Sequence, residues 1–207
     1  MDWTSLYFKT NDLKILILGT GEVATRRAKR FLNKNAQVIL VGNHLDESLK
    51  GATLKNESEI ESLVKWSDLI IVATENSYLI NYVMDNASDK LINRADSPDE
   101  GNLIVPTTFN IDDVEISIFT GGKSPLMARE LRKKIQSIIT SEDILKIKVQ
   151  EYGKKLLKNK VSNQKDRRDY LYSFLENEEI LEYIKDNDLD NARKHVENLV
   201  ENIKVDS

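Results

Sequence analysis

The chain has 207 residues and no cysteine, which excludes disulfide frameworks, iron–sulfur clusters, thiolate nucleophiles and Cys-ligated zinc. Its only histidines are His44 and His195, so a multi-histidine metal cage is excluded and we expect no metal site. The net charge of −4 argues against a broadly basic nucleic-acid surface. No apolar stretch approaches the ~20 residues of a membrane helix, and the N-terminus lacks an apolar signal-peptide core, so we expect a cytoplasmic protein without a membrane partner.

The first half of the chain alternates strand-like and helix-like segments. Lys14–Leu18 is a β-branched and leucine run that stops at a glycine turn, after which residues 22–33 have a helical apolar pattern. Gln37–Val41 and residues 68–73 are further buried-strand candidates, and Ser77–Asn86 is a helix candidate. Shorter strand candidates are 52–54 and 91–93. The alternation predicts an α/β fold with a Rossmann-type, doubly wound parallel sheet that extends to about residue 110.

The second half changes character. Residues 114–120 (VEISIFT) alternate apolar and polar side chains, which is typical of a half-exposed strand. Beyond Pro125 the composition favours helices, predicted at 125–139, 142–158, 165–176 and 189–204, with 159–164 as a linker. We therefore expect a dinucleotide-binding domain over 1–112, a middle segment over 113–145 and a small all-α C-terminal domain over 146–207.

The glycine turn carries the first chemical motif. Residues 19–24 (GTGEVA) form a G-x-G-x-x-A pattern directly after a strand and at the start of a helix. Gly19 permits the tight turn, and Gly21 lets the backbone approach a pyrophosphate at the positive end of the helix. This context favours a dinucleotide site over a purely structural turn.

The end of the second strand lacks the acidic residue that usually holds the adenosine ribose. Gly42, Asn43 and His44 occupy that position, and Asp46 lies slightly beyond it. Asn43 is able to hydrogen-bond the ribose, and no arginine is present there to hold a 2′-phosphate. We therefore expect NAD rather than NADP, although the missing carboxylate weakens the distinction.

A second motif, TGGKSP at 120–125, separates the half-exposed strand from a long helix. Ser124 suits the N-cap, Pro125 suits the first helical position, and Gly121 and Gly122 allow backbone N–H groups to turn toward a ligand. Positive charge is added by Lys123, Arg129 and Arg132. The pattern suits a carboxylate-bearing substrate, and the alternative is an ordinary well-capped helix.

Two polar residues follow predicted strands at the edge of the sheet where ligands bind. Thr74 follows the strand at 68–73, and Asp96 follows the short strand at 91–93. A carboxylate at the Asp96 position is able to reach the reactive ring of a cofactor. The residue pattern alone favours the alternative that Asp96 is a turn residue or a helix cap.

These motifs, in this order, resemble the siroheme-synthase family of precorrin-2 dehydrogenases, which includes a stand-alone enzyme and the N-terminal module of the multifunctional synthase. The matching segments are KILILGTGEVATRRAKRFLNKNAQVILV, LIIVATENSYLIN, INRADSP, LIVPTTF and ISIFTGGKSPLMARELRKKI. The resemblance runs from about residue 6 to residue 139, and TGGKSPLMARELR is its most specific block. The helical region matches more loosely, through Arg167 and Arg168.

The resemblance implies a Rossmann-type NAD domain, a central segment that forms a homodimer, and a helical domain that helps to cover the substrate. The implied reaction removes two electrons and two protons from precorrin-2 and gives sirohydrochlorin and NADH. The resemblance makes Asp96 the catalytic aspartate and places Thr120 at the tetrapyrrole cleft. The expected cofactor-binding residues are Gly19, Thr20, Gly21, Glu22, Val23, Asn43, His44 and Thr74. The expected substrate-binding residues are Thr120, Gly121, Gly122, Lys123, Ser124 and Arg129.

Two departures from the family pattern and two alternative functions accompany this interpretation. Thr20 stands where many members have a third glycine, and the usual ATDD reads ATEN at 73–76. Some members also insert iron into sirohydrochlorin, so one alternative is a bifunctional dehydrogenase and ferrochelatase. The other alternative is a non-catalytic NAD-sensing module, against which the TGGKSP block argues.

Overall fold

The computed structural model of the chain describes residues 3–203, which divide at Pro106 into two compact units. The first unit contains five strands: β1 (Lys14–Leu18), β2 (Gln37–Val41), β3 (Thr53–Lys55), β4 (Leu69–Val72) and β5 (Leu91–Arg94). All neighbouring pairs are parallel, in the order β3-β2-β1-β4-β5. This is the Rossmann-type sheet that the sequence predicts, and its parallel part ends at Arg94.

Three helices cover this sheet: α1 (Glu22–Leu32), α2 (Ile60–Trp66) and α3 (Ser77–Asn86). In β1, Ile15 and Ile17 pack in one apolar core with α1, whereas Leu16 and Leu18 pack in a second core with α2 and α3. A strand covered on both faces needs apolar residues at every position, which explains the uninterrupted runs in β1 and β4. The sheet is therefore doubly wound.

The sequence of helix α1 explains which face of the helix is buried and where the helix ends. Ala24, Ala28 and Phe31 are buried at helical spacing against the sheet, and the helix stops at Leu32. Asn35 has φ +60, a left-handed conformation that asparagine tolerates and that turns the chain into β2. The glycine turn before α1 and the strand after it are thus held in a fixed βαβ arrangement.

The second unit begins with an antiparallel hairpin of β6 (Thr107–Ile111) and β7 (Val114–Ile118). The sequence predicts β7 but not β6, and the domain boundary predicted between residues 112 and 113 falls in the turn of this hairpin. Asp112 sits in that turn with φ +50. Because β6 pairs with β7 and buries Phe109, the first unit ends before this strand rather than after it. The division of the chain into three segments stays a prediction.

Five helices follow: α4 (Pro125–Ile138), α5 (Ser141–Lys160), α6 (Gln164–Glu176), α7 (Glu178–Lys185) and α8 (Leu189–Glu201). The last four enclose a core that includes Leu157, Phe174, Ile184 and Val196. A Cβ on Gly153 would come within 2.8 Å of the Phe174 ring, so this glycine allows the close packing of α5. Helix α7 is not predicted, and the linker is limited to residues 161–163. The end of the last predicted helix, at 204, lies outside the described residues.

Candidate functional site

The glycine turn joins the carboxyl ends of three strands. Gly19 has φ +107, and a Cβ placed there would lie 2.1 Å from the carbonyl oxygen of Ala73, which follows β4. The Gly19 N–H donates to the carbonyl of Val41, the last residue of β2, at 2.8 Å. Only glycine fits this conformation and this space, so the first glycine of the motif is required by the fold.

The N-terminus of α1 is open toward solvent. Gly21 is its N-cap, no side chain among residues 3–203 caps the first N–H groups of this helix, and a Cβ on Gly21 would meet nothing within 4 Å. Glu22 and Val23 in the first turn are exposed. Uncapped N–H groups at a positive helix end, with free space before them, fit the pyrophosphate of a dinucleotide.

Thr20 stands where the pattern described above often has a glycine. Its side chain occupies the space beside Gly42, the residue after β2. A Cβ on Gly42 would lie 2.6 Å from Cγ2 of Thr20, so the residue after β2 has to lack a side chain. Asn43 and His44 follow and are both exposed. The structure thus places these two predicted cofactor contacts beyond the end of β2, on the chain segment next to Thr20.

Thr74 lies beside the glycine turn. The Cβ position of Gly19 is 3.4 Å from Cβ of Thr74, so the chain ends of β1 and β4 are neighbours. From β1 the chain adds strands on one side, β2 and then β3, and it then crosses to the other side of β1 to add β4 and β5. Open α/β sheets bind ligands at such a crossing point, which here lies between β1 and β4. The Thr74 hydroxyl oxygen accepts a hydrogen bond from the Asn76 N–H at 3.2 Å, which fixes the turn before α3.

Asp96 lies two residues beyond β5 and is held by an arginine. Arg94 donates from Nε to Oδ1 of Asp96 at 3.0 Å and from Nη2 to Oδ2 at 2.8 Å, and its Nη1 also donates to Glu100. The Arg94 side chain is 7% exposed and that of Asp96 is 48% exposed. Ser97, rather than Asp96, is the N-cap of the short 3-10 turn that follows, so the helix-cap interpretation of Asp96 is wrong.

This pairing sets the charge of the carboxyl group. The hydrogen bonds from Arg94 lower the pKa of Asp96 below its ordinary value, and the hydrogen bond to Asp96 raises the pKa of Arg94. Asp96 is therefore a fixed, ionised carboxylate with nearly half of its surface open. Such a group is able to accept a proton or to orient a ligand donor.

Two further arginines tie α1 to the segment that carries Asp96. Arg27 donates to the side-chain carbonyl of the buried Asn93, whose amide donates to the Leu103 carbonyl at 2.8 Å. Arg30 donates to the Pro106 carbonyl at 2.9 Å. Burial, and then the charges of its neighbours Arg26 and Arg30, lower the pKa of Arg27 to about 10. Sequence reasoning missed Arg27, Asn93 and Arg94; the only signal was a polar pair at the end of a short apolar strand.

The second unit contains the TGGKSP turn. Gly121 and Gly122 have φ +66 and +73, the left-handed conformation that glycine favours. The Thr120 hydroxyl donates to the Ser124 carbonyl at 3.2 Å, and the Ser124 hydroxyl accepts from the Met127 N–H at 3.1 Å. The predicted N-cap at Ser124 is confirmed, and Pro125 is the first helical residue.

The cationic side chains at and after this turn differ in whether they contact other side chains. Lys123 and Arg129 are exposed. Arg132 stacks its guanidinium over the Phe109 ring, at 5.5 Å from the centroid, and donates to Gln136 at 3.3 Å. The structure therefore separates the two expected substrate contacts, Lys123 and Arg129, from Arg132, which has a packing role.

Over residues 3–203 no group of three or more His, Asp or Glu side chains is placed to hold a metal ion. Within the same range no helix combines the length and the apolar character needed to cross a membrane.

Comparisons with known proteins agree with this geometry. A family model described as "Putative NAD(P)-binding" matches residues 6–107. A "Putative precorrin-2 dehydrogenase" of Methanocaldococcus jannaschii is 28% identical over 187 residues, which cover 83% of this chain and 89% of the relative. The precorrin-2 dehydrogenase of Methanosarcina barkeri is 29% identical over 182 residues, covering 81% of this chain and 80% of that protein.

A multifunctional protein and a solved structure complete the comparison. Siroheme synthase 3 of Aeromonas hydrophila is 30% identical over 151 residues, which are 67% of this chain and 31% of that protein. The chain thus matches about a third of the length of the siroheme synthases. The structure of SirC, a precorrin-2 dehydrogenase, superposes with a TM-score of 0.72 at 19% identity and covers 97% of this chain and 100% of SirC. This last likeness concerns the fold of both units.

Proposed function

The chain belongs to the family of precorrin-2 dehydrogenases and siroheme-synthase N-terminal modules, and from this membership we propose that it oxidises precorrin-2 to sirohydrochlorin with NAD. The observation that carries the proposal is the edge of the parallel sheet, where the cradle at Gly19 follows β1 and the ionised Asp96 follows β5. A dinucleotide site and a fixed carboxylate on one edge suit the removal of a hydride and a proton from one substrate.

The residues of the glycine turn fit the cofactor. Gly19 brings the ends of β1 and β4 together, and Gly21 leaves the first N–H groups of α1 facing open space. These N–H groups would hold the pyrophosphate, and Asn43 would contact the ribose. When bound, NAD supplies the hydride acceptor.

Asp96 would accept the proton that leaves precorrin-2 in the same oxidation. Precorrin-2 carries eight carboxylates, and their negative field opposes ionisation of a nearby carboxyl group. Arg94 counteracts this field, because its hydrogen bonds hold Asp96 in the charged form and in one orientation. Arg94 is thus a positioning residue for the proposed base.

The exposed cations of the second unit support binding of a polyanionic substrate. Lys123 and Arg129 are exposed, and they lie at and just after a turn in which Gly121 and Gly122 adopt positive φ. Charge-assisted hydrogen bonds from such side chains suit carboxylates. A sensor that only responds to NAD has no need of this second anion-binding turn, which favours the enzyme.

We also propose a homodimer. Helix α4 buries only Ala128, whereas four large apolar side chains are exposed on it: Leu126, Met127, Leu131 and Ile138. A second copy that covers this helix would remove that apolar surface from water. The expected cytoplasmic location stays a prediction.

The direct test is incubation of the purified protein with precorrin-2 and either NAD or NADP in the absence of oxygen. We expect the absorbance of reduced nicotinamide and the spectrum of sirohydrochlorin to rise together with NAD. A matched reaction with Gly21→Asp is the control and should show neither change. Absence of both signals with both cofactors would contradict the proposal.

A further inference from the structure

The carboxyl ends of β2 and β3 border a groove whose lining residues have no role in the function proposed above. It has a volume of about 530 Å³ and is lined by Gly42, Thr53, Leu54, Lys55, Asn56 and Glu59. Gly42 is the residue directly after β2, the position at which dinucleotide-binding folds hold the adenosine ribose. The groove therefore lies where the ribose of a dinucleotide on the glycine turn is expected.

A carboxylate and an ammonium group meet in this groove. Lys55 Nζ lies 2.8 Å from Glu59 Oε2, and their side chains are 38% and 41% exposed. Lys55 is opposite Val41, the last residue of β2, in the parallel register, and the Gly42 N–H donates to the Lys55 carbonyl at 3.3 Å. The pair is thus one strand away from the position where β2 lacks its usual acidic residue.

We propose that Glu59 takes over the role of the missing acidic residue: its carboxylate accepts hydrogen bonds from the adenosine ribose hydroxyls and, by pairing with Lys55, prevents the groove from binding a 2′-phosphate. This inference rests on the proposed function, because it requires a dinucleotide on the glycine turn. It assigns the preference for NAD over NADP to a residue on β3's side of the groove rather than to β2.

The charges decide the direction of selectivity. The hydrogen bond from Lys55 lowers the pKa of Glu59, so this side chain is an anion at neutral pH. An anion repels the doubly charged 2′-phosphate of NADP, whereas it attracts the hydroxyl donors of the NAD ribose. Without the Glu59 charge, the Lys55 ammonium would be unpaired in the same groove and would attract the phosphate instead.

The test is Glu59→Gln, with titration calorimetry of NAD⁺ and NADP⁺. Glu59 also accepts from the Asn56 N–H in a capping box, and glutamine serves equally well at that helical position, so the fold is retained. We expect the affinity for NADP⁺ to rise about tenfold or more, because a repulsion is replaced by an attraction, and the affinity for NAD⁺ to fall only a few-fold. Adding Lys55→Met to this variant should abolish the gain for NADP⁺.

A matched control is Glu61→Gln. Glu61 pairs with Lys65 at 2.6 Å and with the same spacing of four residues, but neither residue lines the groove. This variant loses one negative charge of the same segment and should keep the wild-type ratio of the two affinities.

Two results would overturn the inference in different ways. If the wild type binds NAD⁺ and Glu59→Gln leaves the ratio unchanged, Glu59 is only a capping residue, and the proposed dehydrogenase stands. If the wild type binds neither NAD⁺ nor NADP⁺, the dinucleotide site itself is refuted, and this inference falls with the proposed function.

Discussion

Arg94 grips both carboxylate oxygens of Asp96 from the end of β5, while Asp96 keeps one side open to solvent. The bidentate geometry fixes the plane of the carboxylate, and the charge of the guanidinium keeps it ionised. Asp96 is therefore a fixed, ionised carboxylate, and its role as the catalytic base stays a prediction. Substitutions of Asp96 and of Arg94 can therefore distinguish a chemical role for Asp96 from a structural one.

Replacement of Asp96 by asparagine should reduce turnover by about 100-fold or more, because an amide does not accept a proton at neutral pH. Asparagine still accepts one hydrogen bond from Arg94, and Glu100 remains as the second partner of Arg94. The thermal melt should therefore change little, and the affinity for NAD⁺ should stay as in the wild type. Steady-state assays with precorrin-2 at saturating NAD⁺ measure the effect, and Asp99→Asn is the control. Near-normal turnover in Asp96→Asn would eliminate Asp96 as the base.

Replacement of Arg94 by methionine should shift the pH dependence of kcat/KM. Arg94 lowers the pKa of Asp96, so its removal raises that pKa toward the ordinary range. Because only the ionised carboxylate accepts a proton, activity should be lost at a higher pH on acidification than in the wild type. Arg94→Lys, which keeps a positive charge, should show a smaller shift. An acid limb that does not move would show that another group controls it.

The two glycines of the turn should respond differently to substitution. Gly19→Ala places a Cβ against the Ala73 carbonyl at φ +107 and should destabilise the fold by about 2 kcal/mol or more. Gly21→Asp meets no atom within 4 Å and should melt normally, but its charge should weaken NAD⁺ binding about 100-fold. Thermal melts and calorimetry of both variants measure the contrast. Unchanged NAD⁺ affinity in Gly21→Asp would refute the glycine-turn site.

The exposed cations of the second unit should affect the substrate and not the cofactor. We expect Lys123→Gln and Arg129→Gln each to raise the KM for precorrin-2 about tenfold, since each removes a charged hydrogen-bond donor. The affinity for NAD⁺ should not change. Lys165→Gln, an exposed cation on α6, is the matched control. An unaltered KM in both variants would remove these residues from the proposed substrate site.

The oligomeric state should depend on α4. Light scattering at micromolar concentration should give twice the mass of one chain for the wild type. A double variant, Leu126→Glu and Ile138→Glu, places charges on exposed apolar positions and should give the mass of one chain with a normal melt. A monomeric wild type would contradict the proposed dimer.

The sequence predicts the sheet well, because buried strands and a glycine turn have strong local signals. The bounds of β1, β2 and α3 agree with the structure. The elements missed are short: α2 and α7 have seven and eight residues, and β6 has five. The sequence of β6 alternates weakly, and its strand character depends on pairing with β7 across a two-residue turn.

Only part of the candidate site is predictable from the sequence, for a similar reason. Motifs made of consecutive residues, such as those at 19–24 and 120–125, can be recognised in the sequence. The partners Lys55 and Glu59 become relevant only once β3 is known to lie beside β2, and the importance of Arg94 depends on where its side chain turns after β5. Neighbours across a sheet leave little trace in a single sequence.

The hydrogen bonds of Arg27 to Asn93 and of Arg30 to Pro106 fix the position of α1 relative to these two residues. One end of this helix faces the proposed pyrophosphate, and its middle anchors Asn93 and Pro106, on either side of Asp96. Helix α1 and strand β5 therefore set the distance from the glycine turn to Arg94, and Arg94 holds Asp96 two residues beyond the strand. Loss of Arg27 should therefore displace the end of β5, and with it Asp96, relative to the glycine turn.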